Sequence, residues 1–168
     1  MKKKIILTFC WFILFFSLFN LITPDSEELI YHPLVEHNLT TIDNKNIKIN
    51  EQFPDKAYLI MFYVDTSPTS KRQLKELNSI VDKLPVNIIP ILIHIGPFNS
   101  TFSENYQTKF NIFSDINGQM AEKMNIYIVP TTMLLTKNYY QIFYTREFIS
   151  AEEILEFVDL YSSKFFIS

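Results

Sequence analysis

Residues 57 to 70 read Ala-Tyr-Leu-Ile-Met-Phe-Tyr-Val-Asp-Thr-Ser-Pro-Thr-Ser, an apolar run that stops at a polar turn and restarts as a helix signal. Positions 57 to 64 are apolar on both parities and rich in β-prone side chains, the pattern of a strand covered on both faces. Ser67 suits a helix N-cap, because its hydroxyl accepts a hydrogen bond from a first-turn N–H. Pro68 suits the first helical position, where the missing N–H would have had no partner. Behind them Leu74, Leu77, Val81 and Leu84 recur at helical spacing until Pro85 closes the segment.

Outward from this stretch, residues 87 to 95 read as a second buried strand. Strand, helix, strand in that order implies a right-handed parallel crossover, and so an α/β class. Upstream, residues 39 to 42 and 47 to 49 alternate apolar and polar around Asp43-Asn44-Lys45-Asn46, which predicts a small hairpin. Downstream, a loop opens at Gly96-Pro97 with a short helix expected over 103 to 109. A turn at Asn117-Gly118 leads to another short helix carrying Met120, Ala121 and Met124. Residues 131 to 136 and 139 to 145 flank Lys137-Asn138 as a second hairpin. Ser150-Ala151-Glu152-Glu153 is a capping box, and Ile154, Leu155, Val158 and Tyr161 supply the apolar stripe of a final helix.

The chain has 168 residues, 48% hydrophobic and 20% charged, enough for one domain and an additional segment. Lys2, Lys3 and Lys4 precede an apolar run over residues 5 to 22, broken only by Thr8, Ser17 and Asn20. At about 1.5 Å per residue a helix of that length reaches roughly 27 Å, close to the thickness of a hydrocarbon core. The expected organisation is therefore a signal-anchor or signal peptide at 1–24, a linker at 25–37 and a domain at 38–165. With the lysines on the cytoplasmic side, the domain is expected outside the cytoplasm, on a single-pass membrane tether or secreted if the N-terminus is cleaved. Cys10, inside the run, is the sole cysteine, so nothing after residue 24 carries a thiol. A net charge of -3 and pI near 5.6 leave no basic footprint for nucleic acid.

Taken together, these residues resemble the extracytoplasmic thioredoxin-like redoxins, a group of membrane-anchored thiol-disulfide oxidoreductases with AhpC-TSA-type relatives. Phe62-Tyr63-Val64-Asp65-Thr66-Ser67-Pro68-Thr69-Ser70-Lys71 stands where such proteins carry Trp-Cys-x-x-Cys-Lys, with Ser67 and Ser70 at the two cysteine positions. Residues 113 to 119 resemble the group's Asp-x-x-Gly segment, and Val129-Pro130-Thr131-Thr132 resembles its Val-Pro-Thr-Thr loop, in which the proline is cis. The group's glycine after the last strand has no counterpart near Thr145 and Arg146. The resemblance implies a thioredoxin-like fold: a central mixed sheet with an N-terminal β-hairpin and flanking helices, here following an N-terminal transmembrane helix.

Thiol-disulfide exchange needs a thiolate that attacks a disulfide sulfur, and serine has none to offer. No catalytic residue is expected at Ser67 or Ser70. What the resemblance leaves is a binding groove formed by Thr66, Pro68, Val129 and Pro130, with Val129 offering its backbone to an extended polypeptide as an added strand. Two functions stay open: a binding or assembly accessory for an exported polypeptide, or a component of a thiol-disulfide or cytochrome-maturation-type pathway whose partner supplies the cysteines. A Ser-His-Asp hydrolase would have to be assembled from Asp65 and one of His32, His37 and His94. The first two read as solvated linker residues, and the third as partly buried at a strand end. His32, Glu36 and His37 lack the further ligands that a metal site needs, so neither metal nor cofactor is expected.

Overall fold

The computed structural model describes residues 30–32, 34, 37–98 and 109–165. Their centre is a seven-stranded mixed sheet in the order β2-β1-β5-β4-β3-β6-β7. Its strands are β1 (Leu39–Thr41), β2 (Asn46–Ile47), β3 (Ala57–Tyr63), β4 (Ile88–Ile95), β5 (Asn111–Asp115), β6 (Thr131–Leu135) and β7 (Gln141–Thr145). The helices are α1 (Ile49–Gln52), α2 (Pro68–Ile80), α3 (Gln119–Lys123) and α4 (Ala151–Phe165). The expected thioredoxin-like layout of hairpin, mixed sheet and flanking helices is present.

Strand β3 sets the layers. All seven of its residues are buried, because odd positions (Leu59, Met61, Tyr63) meet Leu74 and Leu77 of α2 and Ile154 and Val158 of α4, while even positions (Tyr58, Ile60, Phe62) meet Leu34, Ile49 and Met120 on the opposite face. Each such large side chain taken from water contributes about 1.5–3 kcal/mol before the entropy of ordering it is subtracted. β3 pairs parallel with β4 and antiparallel with β6, so the end of β3, the end of β4 and the start of β6 lie side by side at one end of the sheet.

Several expectations need correction. Ile49, read as the close of a strand, instead begins α1 and is fully buried, since β2 ends two residues earlier. The α2 stripe ends at Ile80 and tightens into one 3₁₀ turn, Val81–Lys83, before Pro85. Strand β5 was not expected at all, yet it lies between β1 and β4. His32 and His37, read as solvated, are both buried: the segment before β1 packs onto the sheet, with Leu34 fully covered. Of the helix expected over 103 to 109 all but residue 109, and the whole membrane segment at 1–24, lie outside the described residues. Among the described residues no helix is long and apolar enough to cross a membrane.

Candidate functional site

The site is built where the buried run of β3 gives way to polar residues. Val64, Asp65 and Thr66 make the turn, and Ser67 N donates to Val64 O at 3.2 Å. Ser67 then caps α2: its backbone is extended and its Oγ accepts from Ser70 N at 3.1 Å, with Pro68 at the first helical position. Thr66, Pro68 and Thr69 are exposed on this helix head, Ser67 is half-buried and Ser70 is fully buried. The Ser70 hydroxyl has no hydrogen-bond partner among the described residues.

Opposite the helix head stands the loop into β6. Phe62 pairs with Thr131, which sets Val129 and Pro130 beside the end of β3, and the Val129–Pro130 peptide is cis. Thr131 Oγ1 donates to Ile128 O at 2.6 Å and so ties the loop back on itself. Pro130 is buried and Val129 half-buried, whereas Tyr127 and Ile128 are 73% and 53% exposed, an apolar lip on the loop that leads into β6. Arg146 closes one flank, bonding Tyr144 OH at 2.6 Å and Asn125 O at 3.3 Å. The sequence singled out Thr66, Pro68, Val129 and Pro130, which follow β3 and precede β6 at the end where Phe62 pairs with Thr131, and it did not single out Tyr127 and Ile128. Their signal was available: two large apolar side chains in a loop, directly before the proline.

The other missed feature lies at the head of the turn. His94, at the end of β4, is paired in register with Tyr63 and places Nε2 3.7 Å from Asp65 Oδ1. Its ring packs edge-on against Tyr63 and stacks on Phe98, and Nδ1 bonds Gly96 O at 3.0 Å. Burial first, and the Asp65 carboxylate second, push the Tyr63 phenol above its ordinary pKa, so it stays protonated. Asp65 and His94 thus come together as the sequence did not foresee. Among the described residues they do not form a nucleophile relay, because His94 Nε2 has no hydrogen-bond partner there, Ser67 Oγ included.

Asp115 and Gly118 turn out to be structural. Gly118 adopts φ 68° and donates to Asp115 O, and Asp115 Oδ2 accepts from Ala121 N at 2.8 Å, capping α3. Ser114 donates to Gly96 O at 2.5 Å, which fixes the turn after β4. Among the described residues no group of three or more His, Cys, Asp or Glu side chains could hold a metal ion.

Comparison with solved structures matches this arrangement to one architecture. The fold is thioredoxin-like. A secreted Mycobacterium tuberculosis disulfide oxidoreductase homologous to E. coli DsbE superposes with a TM-score of 0.64 at 13% identity, over 76% of this chain and 98% of that one. StoA from Bacillus subtilis gives 0.59 at 19% identity, over 72% and 94%. The exposed lipoprotein thioredoxin of Streptococcus pneumoniae gives 0.60 at 14%, over 74% and 98%. No family model matches the chain, and no curated protein matches it by sequence. At such identities the likeness establishes the fold.

Proposed function

We propose that this chain is a membrane-anchored, extracytoplasmic thioredoxin-like protein without redox thiols, which holds an extended segment of an exported polypeptide between Ser67 at the head of α2 and the Val129–Pro130 loop. One observation supports the reading: Ser67 and Ser70 stand at the head of α2, where the resemblance would put the redoxins' cysteines, and the loop with the cis Val129–Pro130 peptide exposes Tyr127 and Ile128. Thiol exchange requires a thiolate, and Cys10 lies in the N-terminal apolar run rather than in the domain. What remains is binding: a polypeptide backbone alongside Val129, with its side chains against the apolar lip.

A second reading is favoured by the disulfide oxidoreductase named among the structural neighbours: the chain works within a thiol-disulfide pathway and its partner brings the cysteines. Both readings predict no insulin reduction by the purified full-length protein beyond that of a Cys10→Ala variant. Turnover above that level overturns the thiol-free assignment. Binding is tested by recovering partners from solubilised membranes with wild type, Ile128→Asp and Pro130→Ala. Loss of the same partner from both variants supports the groove, and equal recovery from all three removes it as the binding surface. A recovered partner with a Cys-x-x-Cys pair selects the second reading.

A further inference from the structure

The groove and the point where the chain enters the domain lie at opposite ends of the sheet. β6 runs antiparallel to β3, with Thr131 beside Phe62 at the groove end and Leu135 beside Tyr58 at the other. The turn after β6, with exposed Lys137 and Asn138, therefore projects from the end remote from Ser67. β3 alone, seven residues long, separates the two ends by about 20 Å at about 3.3 Å per residue.

The entering chain is fastened at this remote end. Gln141 N donates to Ile30 O at 2.8 Å, His32 N donates to Tyr139 O at 2.9 Å, and Tyr31 bridges Tyr140 in antiparallel fashion. His32 Nε2 lies 2.9 Å from Gln141 Oε1, and Leu34 is buried just beyond. These bonds set the exit point of everything N-terminal to Ile30. The apolar run ends at residue 22, and residues 23–29 can span at most about 25 Å even when fully extended.

The surface at the exit point has its own character. Ile30, Tyr31 and Tyr140 are 56%, 49% and 40% exposed, and the two tyrosine rings meet edge to face at 5.8 Å. Paired tyrosines next to an apolar side chain fit the level of lipid headgroups, where an apolar ring body and a polar tip are both accommodated. Charge is not the basis, because none of the three patch residues is Lys, Arg, Asp or Glu.

We infer that Ile30, Tyr31 and Tyr140 form a membrane-contact patch that seats the domain on the headgroup layer, with the β6–β7 turn toward the bilayer and the Ser67/Pro130 groove facing away. The inference rests on the proposal that residues 5–22 insert in that bilayer. It narrows the groove's partner to a polypeptide segment presented from the aqueous side, and excludes a helix buried in the membrane.

The test uses the full-length chain in phosphatidylcholine vesicles, in a Cys10→Ala background, with one fluorophore at Lys137→Cys or at Lys71→Cys on the exposed head of α2. With about 20 Å between the ends, a headgroup-attached quencher acts about twofold or more strongly at 137 than at 71, and this ratio is unchanged by high salt. Adding Tyr31→Ser and Tyr140→Ser brings the ratio toward unity. Equal or reversed quenching overturns the orientation, and a ratio untouched by the tyrosine changes overturns the patch. Failure of the protein to float with the vesicles overturns the anchoring on which both rest, a result separable from either of the others.

Discussion

Two helices of this protein start with serine at the same spacing, Ser67-Pro68-Thr69-Ser70 for α2 and Ser150-Ala151-Glu152-Glu153 for α4, and the two starts are held quite differently. At α4 the capping pair is reciprocal: Ser150 N and Oγ donate to Glu153 Oε2 at 2.9 and 2.6 Å, and Glu153 N returns a bond to Ser150 Oγ at 3.3 Å. Helix α2 adds to it, with Glu76 Oε2 accepting from Ala151 N and Gln73 bonding both N and O of Ile149 at 2.9 Å. At α2 itself only Ser67 and Pro68 serve the cap, and the third helical residue, Ser70, carries a buried hydroxyl with no hydrogen-bond partner among the described residues. Capping chemistry thus accounts for Ser67 and Pro68 but gives no role to the Ser70 side chain. A helix start under structural demand alone looks like α4; the start beside the groove is less completely satisfied.

The comparison can be broken most forcefully at Gln73. Changing Gln73→Leu leaves the buried N–H and C=O of Ile149 without partners, which costs about 2–6 kcal/mol at about 1–3 kcal/mol per group. Urea denaturation measures it, and a loss below about 1 kcal/mol would show that the start of α4 does not depend on α2. Next in size, Ser67→Ala removes the only side-chain cap seen at α2 and lowers stability by about 1 kcal/mol. No change in the denaturation midpoint would mean that Pro68 alone sets the helix start.

The start of α4 has a pH signature. Hydrogen bonds from the Ser150 hydroxyl, then from its backbone N–H, hold the Glu153 carboxyl below its ordinary value of 4.5. A carboxyl with a lowered folded-state pKa stabilises the protein above its unfolded value, and that stabilisation is lost as pH falls through the folded one. The stability gap between wild type and Glu153→Gln should therefore be full at neutral pH and close as the pH drops below about 4.5. A gap constant from pH 7 to about 3 contradicts the reciprocal box.

The smallest effect is expected at Ser70→Ala. Removing a buried, unbonded hydroxyl, so that the CH2OH side chain becomes CH3, takes away a group that was desolvated without compensation, so stability should stay within about 0.5 kcal/mol or rise slightly. A loss above about 1 kcal/mol would mean that the hydroxyl has a hydrogen-bond partner in solution.

Legibility in the sequence followed how local the cause was. β3, the start of α2 and the box at Ser150 could be read because apolar runs, helical spacing and caps act within a few residues. Strand β5 could not, because its Ser114 and Asp115 look like loop residues until Ser114 is seen bonding Gly96 O and Asp115 capping Ala121 N. His32 was misread for the same reason: its partner, Gln141, is 109 residues away. At the candidate site Ser67 and Pro130 were identifiable by motif, whereas the approach of His94 to Asp65 depends on the register of β3 with β4.

The amino-acid sequence by itself determined that the domain carries no thiol, that a buried strand runs into a serine-capped helix, and that an apolar run precedes the domain. Those are matters of composition and of neighbours along the chain. Only the tertiary structure decided that Thr131, directly after Pro130, pairs with Phe62 at the end of β3, that Ser70 is buried with no partner among the described residues, and that the entering chain is fastened at the opposite end. Each of these follows from strand register and sheet order, which bring together residues whose proximity no local pattern encodes.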